Sequence, residues 1–319
     1  MLSILRTNQP FFFIISAWLI LILNGLIYFN NGNLKEVEFE LLKLIGAPKI
    51  LVYFVLFIVV FYTSFLINSV VNRSVLFEKS YYLSGLLYVV FVTSFGDIIS
   101  YLLPLIGNLF LVLSLKNLLQ IFRANSCKKQ VFNASIFILF GAFFYSLNLF
   151  ILPLVWIVLF IIRPFVWREY LMPIIVLLIS FAYVIPFGIL NQNILEMMSL
   201  WWSSSQNSYH EISPFIGLLI MGFISVTFLL SFKSIVNTFI YSNNRYKRVI
   251  WVVVAMMVFT VLLSVLDFLL FNRSFGGLVP FLIPLVMFLS NGFIRNRIQW
   301  VCDLVFILFF VSTIVIQIL

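Results

Sequence analysis

Long apolar stretches alternate with short polar segments along the whole chain, and this pattern predicts membrane-spanning α-helices. The apolar stretches run for about 20 residues, the length that crosses a bilayer core as a helix. ILVYFVLFIVVF and VIWVVVAMMVFTVLLSVL are typical. Strands of an outer-membrane barrel would instead alternate polar and apolar residues. We predict about eleven spans, near residues 11–29, 50–71, 81–96, 102–122, 132–146, 149–163, 170–190, 214–239, 249–271, 278–294 and 301–319.

The composition supports this class. Of the 319 residues, 64% are hydrophobic and 9% are charged, whereas soluble domains average about 25% charged residues. The mean hydropathy is +1.18. We therefore expect an all-α, polytopic transmembrane helical bundle, with residues 1–319 as a single integral-membrane domain. Two external loops, 30–49 and 191–213, are long enough to hold structure of their own.

The distribution of basic residues predicts the orientation. With the N-terminus inside, 15 of the 19 Lys and Arg residues fall on the cytoplasmic side, as the positive-inside rule expects. Eleven spans then give an N-in, C-out topology. Because the net charge of +9 comes from residues at span ends, we do not expect a nucleic-acid partner. The predicted inner set is Arg6, Arg73, Lys79, Lys116, Arg123, Lys128, Lys129, Arg163, Arg168, Lys233, Arg245, Lys247, Arg248, Arg295 and Arg297.

The fifth and sixth spans are separated by very few residues. The segment NASIFILFGAFFYSLNLFILPLVWIVLFII predicts a tight helical pair hinged at Ser146–Asn148. A single long tilted helix with a re-entrant piece also fits the same residues.

Loop 30–49 carries three glutamates. Its apolar residues recur at helical spacing after Asn33, which predicts an amphipathic helix at the membrane surface. Glu36 and Glu40 share one face, and Glu38 points elsewhere. One interpretation is a solvated polar face with Glu40 paired to Lys43. The other is that one carboxylate acts as a general base, partly buried over a cavity.

Two further acids lie near the external ends of predicted spans. Asp97 follows the third span, either as a helix-end residue or beside the first loop as part of a site. Asp267 lies about one turn inside the ninth span, where an acid by default faces a cavity or a partner. A structural contact between Asp267 and Arg273 is the alternative.

Loop 191–213 combines aromatic and polar residues. Trp201 and Trp202 either anchor the loop at the bilayer interface or form a stacking platform for a sugar or lipid headgroup. In the second case His210 and Glu211 supply polar contacts. Phosphate recognition at this face requires external cations. Arg273 is the best candidate, followed by Lys43 and Lys49.

Cysteine and histidine are scarce. Cys127 and Cys302 both fall on the predicted cytoplasmic side, where we do not expect a structural disulfide. His210 is the single histidine, so a His-rich metal site is excluded.

Residues 5–10 (LRTNQP), followed by an apolar anchor, resemble the start of a family of polytopic inner-membrane proteins of Bacteroidota. The resemblance implies a multi-pass protein of the bacterial inner membrane and assigns no activity.

The layout is similar to the GT-C class of glycosyltransferases that use polyprenyl-phosphate sugars. The shared features are an acid-bearing first external loop, a second acid after the third span, and a tight helical pair further on. The resemblance implies that Glu36, Glu38 or Glu40 is the catalytic base. It also implies that Asp97 orients the acceptor or binds a divalent metal. The first loop lacks the Asp-x-Asp pair of that class.

Three functional hypotheses follow. The first is sugar transfer from a polyprenyl-phosphate donor on the periplasmic face, for envelope glycan or lipid assembly. The second is a non-catalytic membrane subunit of an envelope complex, bound to protein partners. The third is a lipid or small-molecule transporter, for which Asp267 is the one acid near mid-membrane. In all three, membrane lipid surrounds the chain.

Overall fold

The structure is a computed structural model that describes residues 13–18, 20–22, 25, 49–74, 81–94, 101–124, 126–190, 214–271, 277–295, 300, 304, 306, 307 and 311. These ranges hold only helices, turns and bends, which confirms the all-α class. The ten α-helices are α1 (Lys49–Arg73), α2 (Leu83–Thr93), α3 (Leu102–Gln120), α4 (Lys128–Phe144), α5 (Pro153–Ile162), α6 (Trp167–Tyr170), α7 (Met172–Leu190), α8 (Pro214–Tyr241), α9 (Asn244–Phe271) and α10 (Leu278–Arg295).

Five helices in the described ranges are long and apolar enough to cross a membrane, so the prediction of eleven spans was too high. Three helical segments are apolar but shorter. They are Phe13–Ile22, which precedes α1, Leu83–Thr93, which is α2, and Ser146–Ile162, which ends with α5. The five long segments are Leu51–Arg73, Leu102–Gln120, Ile224–Tyr241, Asn244–Asp267 and Leu278–Arg295.

Helix α2 explains one of the differences. Its 11 residues extend about 17 Å at 1.5 Å per residue, roughly half of a bilayer core. Every residue of α2 is buried by protein. Its apolar sequence therefore reflects packing inside the bundle, which hydropathy alone does not distinguish from contact with lipid.

The break between the fifth and sixth predicted spans is confirmed. Helix α4 ends at Phe144, and Tyr145 adopts an extended backbone. A 3₁₀ helix, Ser146–Ile151, then turns the chain into α5. Asn148 lies fully buried in this turn, where its side-chain amide donates to the Gly141 carbonyl at 3.3 Å. The alternative of one long tilted helix is excluded.

Helix α10 is the centre of the described bundle. It packs against α2, α3, α8 and α9, and all its residues from Leu282 to Phe293 are buried. Gly292 allows the approach of α8. A Cβ placed on it would collide with the Cα of Ser231, 2.5 Å away. Small residues permit such contacts where helices pack inside a membrane.

Helices α3 and α4 form the most extensive helical pair. A Cβ on Gly107 would lie 2.7 Å from the Asn148 side-chain nitrogen, and one on Gly141 would lie 3.2 Å from the Gly107 carbonyl. Phe110 stacks on Phe144 beside this crossing, with ring centroids 5.6 Å apart. Close backbone approach and aromatic stacking together hold the pair.

One end of the bundle collects the basic residues, and we call it the basic face. Arg163 donates to the Ile121 carbonyl at 3.3 Å, and Arg248 donates to the Ile162 carbonyl at 2.8 Å. The Arg295 guanidinium lies 4.9 Å from the centre of the Tyr246 ring. The basic face comprises Arg73, Lys116, Arg123, Lys128, Lys129, Arg163, Arg168, Arg245, Lys247, Arg248 and Arg295. All eleven belong to the set that the sequence predicted to lie together on one side of the membrane. We call the opposite end of the bundle the distal end.

Large apolar side chains cover the outer surface of the helices. Phe160, Leu229 and Leu269 are each at least 69% exposed. Exposed apolar surface on this scale is unfavourable in water and favourable against lipid.

Candidate functional site

Most of the residues predicted to act at the external face lie outside the described residues. Two fall inside them. Lys49 is the first residue of α1, and Asp267 lies in the last turn but one of α9; both are at the distal end. The residues outside are Glu36, Glu38, Glu40, Lys43, Asp97, Trp201, Trp202, His210, Glu211 and Arg273, as is the amphipathic helix predicted after Asn33.

Asp267 is completely buried at the distal end. It packs against Gly277, the residue directly before α10. A Cβ on Gly277 would lie 2.9 Å from the Asp267 Cβ, 3.3 Å from its Oδ2 and 2.6 Å from the Ser264 Cα. The carboxylate is thus close to the start of α10, where the helix dipole favours a negative charge. Its proposed contact with Arg273 lies outside the described residues.

Asn108 approaches the start of α10 from another helix. Its side-chain amide donates to the Val279 carbonyl at 2.6 Å, and Asn108 is fully buried in α3. Tyr88 of α2 is fully buried near Asn108 and Thr63. The first turn of α10 therefore has a buried carboxylate on one side and a buried amide on the other. This polar region lies at the distal end.

Other buried asparagines fix helices to one another. The Asn68 carbonyl oxygen in α1 accepts from the Ser84 hydroxyl at 2.5 Å and from the Gly85 amide at 2.7 Å. Asn291 of α10 donates to the Tyr246 hydroxyl at 2.7 Å. The sequence analysis did not single out these residues. Their positions could have indicated this role, because each is a strong hydrogen-bonding residue within an apolar run.

A second polar cluster lies on the basic face, between α3, α4 and α6. Glu169 is 6% exposed, and its Oε1 accepts from the Cys127 backbone amide at 3.0 Å. Burial raises the pKa of the Cys127 thiol; the Arg163 guanidinium opposes this rise and the Glu169 carboxylate adds to it. Burial, followed by the charge of Glu169, raises the pKa of Tyr170. Both groups are therefore held neutral, which indicates a structural cluster.

The described ranges contain no group of three or more His, Cys, Asp or Glu residues able to hold a metal ion. The divalent metal considered with Asp97 remains a prediction, since that residue lies outside them.

No known protein family, curated protein or solved structure matches this chain. The resemblances to the Bacteroidota membrane proteins and to the GT-C class therefore rest on the sequence features given above.

Proposed function

We propose that the chain is a multi-pass protein of the bacterial inner membrane with its basic face in the cytoplasm. Eleven Lys and Arg residues on one end of the described bundle support this orientation through the positive-inside rule. The distal end then faces the periplasm. A cysteine replacing Lys49 should react with a membrane-impermeant maleimide in intact cells, while one replacing Arg168 should not. The reverse pattern would invert the orientation.

At the distal end, the proposed activity is GT-C-like transfer of a sugar from a polyprenyl-phosphate donor. The observation that carries this proposal is the burial of Asp267 against the start of α10. A carboxylate in an apolar bundle is costly and is characteristic of sites that bind polar substrates within membranes. Asn108 and Val279 place further polar groups beside the same helix start.

In the proposed reaction, Glu36, Glu38 or Glu40 takes the proton of an acceptor hydroxyl. The acceptor oxygen forms a bond to the anomeric carbon of the sugar while that carbon's bond to the phosphate oxygen breaks. Arg273, Lys43 or Lys49 stabilises the departing polyprenyl phosphate. The proposed substrate contacts come from Asp97, Asp267, Trp201, Trp202, His210 and Glu211.

The test uses the purified full chain with a panel of synthetic polyprenyl-phosphate hexoses and a total membrane lipid extract as acceptor. We expect release of polyprenyl phosphate that is lost when Glu36, Glu38, Glu40 and Asp97 are replaced together by their amides. A matched variant replaces the buried Asn68 by Leu and should retain release if it folds. Equal release by the amide variant, or none with any hexose, would overturn the proposal.

A non-catalytic subunit is the second candidate. The described ranges hold only two carboxylates, and Glu169 is engaged with the Cys127 backbone. A stoichiometric protein that co-purifies with the chain, with no polyprenyl lipid, would favour this function.

A further inference from the structure

A cavity of about 340 Å³ opens on the basic face between the ends of α1, α3 and α4. Its polar lining consists of Arg73 and Ser74 from the end of α1, Lys116 and Gln120 from the end of α3, and Gln130 from the first turn of α4. Three apolar residues complete the wall. The volume lies near the lower limit of pockets that bind small ligands, which is about 300 Å³.

The charge of the lining is one-sided. Arg73 and Lys116 come from different helices yet face one cavity, and none of the eight described residues that line it is acidic. An anion in the cavity would be attracted by both charges. Arginine also offers paired N–H donors that match phosphate oxygens.

Gln130 adds a second observation. It occupies the third position of α4, where a glutamine commonly folds back to the N-cap amide in a capping box. Here the N-cap amide, which belongs to Cys127, donates its hydrogen bond to Glu169 instead. The Gln130 side-chain oxygen is consequently buried with no hydrogen-bond partner among the described residues. Gln130 also lines the cavity, where the N–H groups of its side-chain amide can donate to a ligand, whereas the buried oxygen only accepts and does not bind an anion.

We propose that this cavity binds a phosphate group, carried either by an anionic lipid headgroup or by a small soluble phosphate compound. Arg73 and Lys116 supply the charge, and the side-chain amides of Gln120 and Gln130 supply neutral donors; the Ser74 hydroxyl already donates to the Val71 carbonyl. Basic pockets between helices on the cytoplasmic side of a membrane suit phosphate headgroups. The site lies at the opposite end of the bundle from the proposed transfer reaction and is independent of it.

A purely topological role for the two cations is the competing explanation. Arg73 and Lys116 lie near the C-terminal ends of α1 and α3, where basic side chains also offset the helix dipole. That role requires charge at helix ends and no ligand. The two explanations differ in whether phosphate binding depends on the residues of the cavity.

The test compares the variant Arg73→Gln/Lys116→Gln with the control Arg168→Gln/Lys129→Gln, in the full chain in mild detergent. Both remove one Arg and one Lys from the basic face, but the control residues lie outside the cavity. Native mass spectrometry measures binding of dioleoylphosphatidylglycerol, with dioleoylglycerol as the phosphate-free probe. Calorimetry measures binding of glycerol 3-phosphate.

We expect the cavity variant to bind one of the two phosphate probes about tenfold more weakly than the control variant does. Loss of the lipid probe identifies a headgroup site, and loss of glycerol 3-phosphate identifies a soluble ligand. Equal binding by the two variants, or equal affinity for phosphatidylglycerol and dioleoylglycerol with no glycerol 3-phosphate binding, would overturn the proposal. If the double variant does not fold, Lys116→Gln against Lys129→Gln gives the same comparison.

Discussion

The Glu169 carboxylate accepts a hydrogen bond from the Cys127 backbone amide at 3.0 Å, across 42 residues of sequence. Cys127 is the N-cap of α4, so a residue beyond α5 satisfies a donor at the start of α4. In a capping box this bond comes from within the same helix. The long-range version ties the α3–α4 turn to α6. Arg163 reinforces it by donating to the Ile121 carbonyl at the end of α3.

Replacing Glu169 by Ala should destabilise the protein by about 1–3 kcal/mol, because the buried Cys127 amide loses its acceptor. Glu169→Gln should cost less, since the amide oxygen still accepts. Thermal unfolding in detergent measures the difference, and we expect the melting temperatures to fall in the order wild type, Gln, Ala. Coincident melting curves for all three proteins would show that this bond contributes nothing to stability.

The Cys127 thiol should resist alkylation by a maleimide near neutral pH as long as the protein is folded. Burial raises its pKa, so its thiolate population is smaller than that of an ordinary thiol. A raised folded-state pKa stabilises the fold below the pKa of the unfolded thiol, and this contribution is lost as the pH rises above it. Labelling in a Cys302→Ser background tests the first point, and rapid labelling at neutral pH would contradict it; thermal unfolding as a function of pH tests the second.

Gly292→Ala should destabilise the bundle by about 1–3 kcal/mol, because the new methyl group overlaps the Ser231 backbone of α8. Gly222→Ala is the matched control. Gly222 lies in α8, and a Cβ at this position meets nothing within 4 Å. The change should therefore stabilise α8 by up to about 1 kcal/mol. Melting temperatures that change in the same direction for both variants would refute the close approach of α8 and α10.

Asn108→Leu should cost more stability than Asn117→Leu, although both residues lie in α3. Asn108 bonds to Val279 of α10, whereas Asn117 bonds only to the Leu113 carbonyl of its own helix. Interhelical hydrogen bonds in membrane proteins contribute about 0.6 kcal/mol on average and up to about 1.7 kcal/mol. Unfolding in a denaturing detergent measures the pair; an equal loss would mean that Asn108 does not hold α10.

The sequence predicts the helical class and the side on which basic residues gather, because both depend on residue type along the chain. It also predicts the hinge after Phe144, where Ser146 and Asn148 interrupt an apolar run. It does not predict that α2 is only 11 residues long and wholly enclosed, since burial by protein and by lipid select the same side chains.

The cavity beside Arg73 and Lys116 was equally inaccessible to the sequence analysis. Its lining comes from three helices, and their packing brings together residues that are distant in sequence. Each cation taken alone resembles an ordinary span-end residue. Asp267 was found because an acid within an apolar run is conspicuous in one dimension, whereas its contact with Gly277 depends on packing.

The most direct test of the proposed function is mass spectrometry of the lipids that co-purify with the full chain in mild detergent. We expect enrichment of polyprenyl phosphate or its sugar adduct over the bulk membrane, reduced in an Asp267→Asn variant that retains its melting temperature. A lipid profile equal to that of the bulk membrane, with no polyprenyl species, would contradict the account of a transferase acting at the distal end.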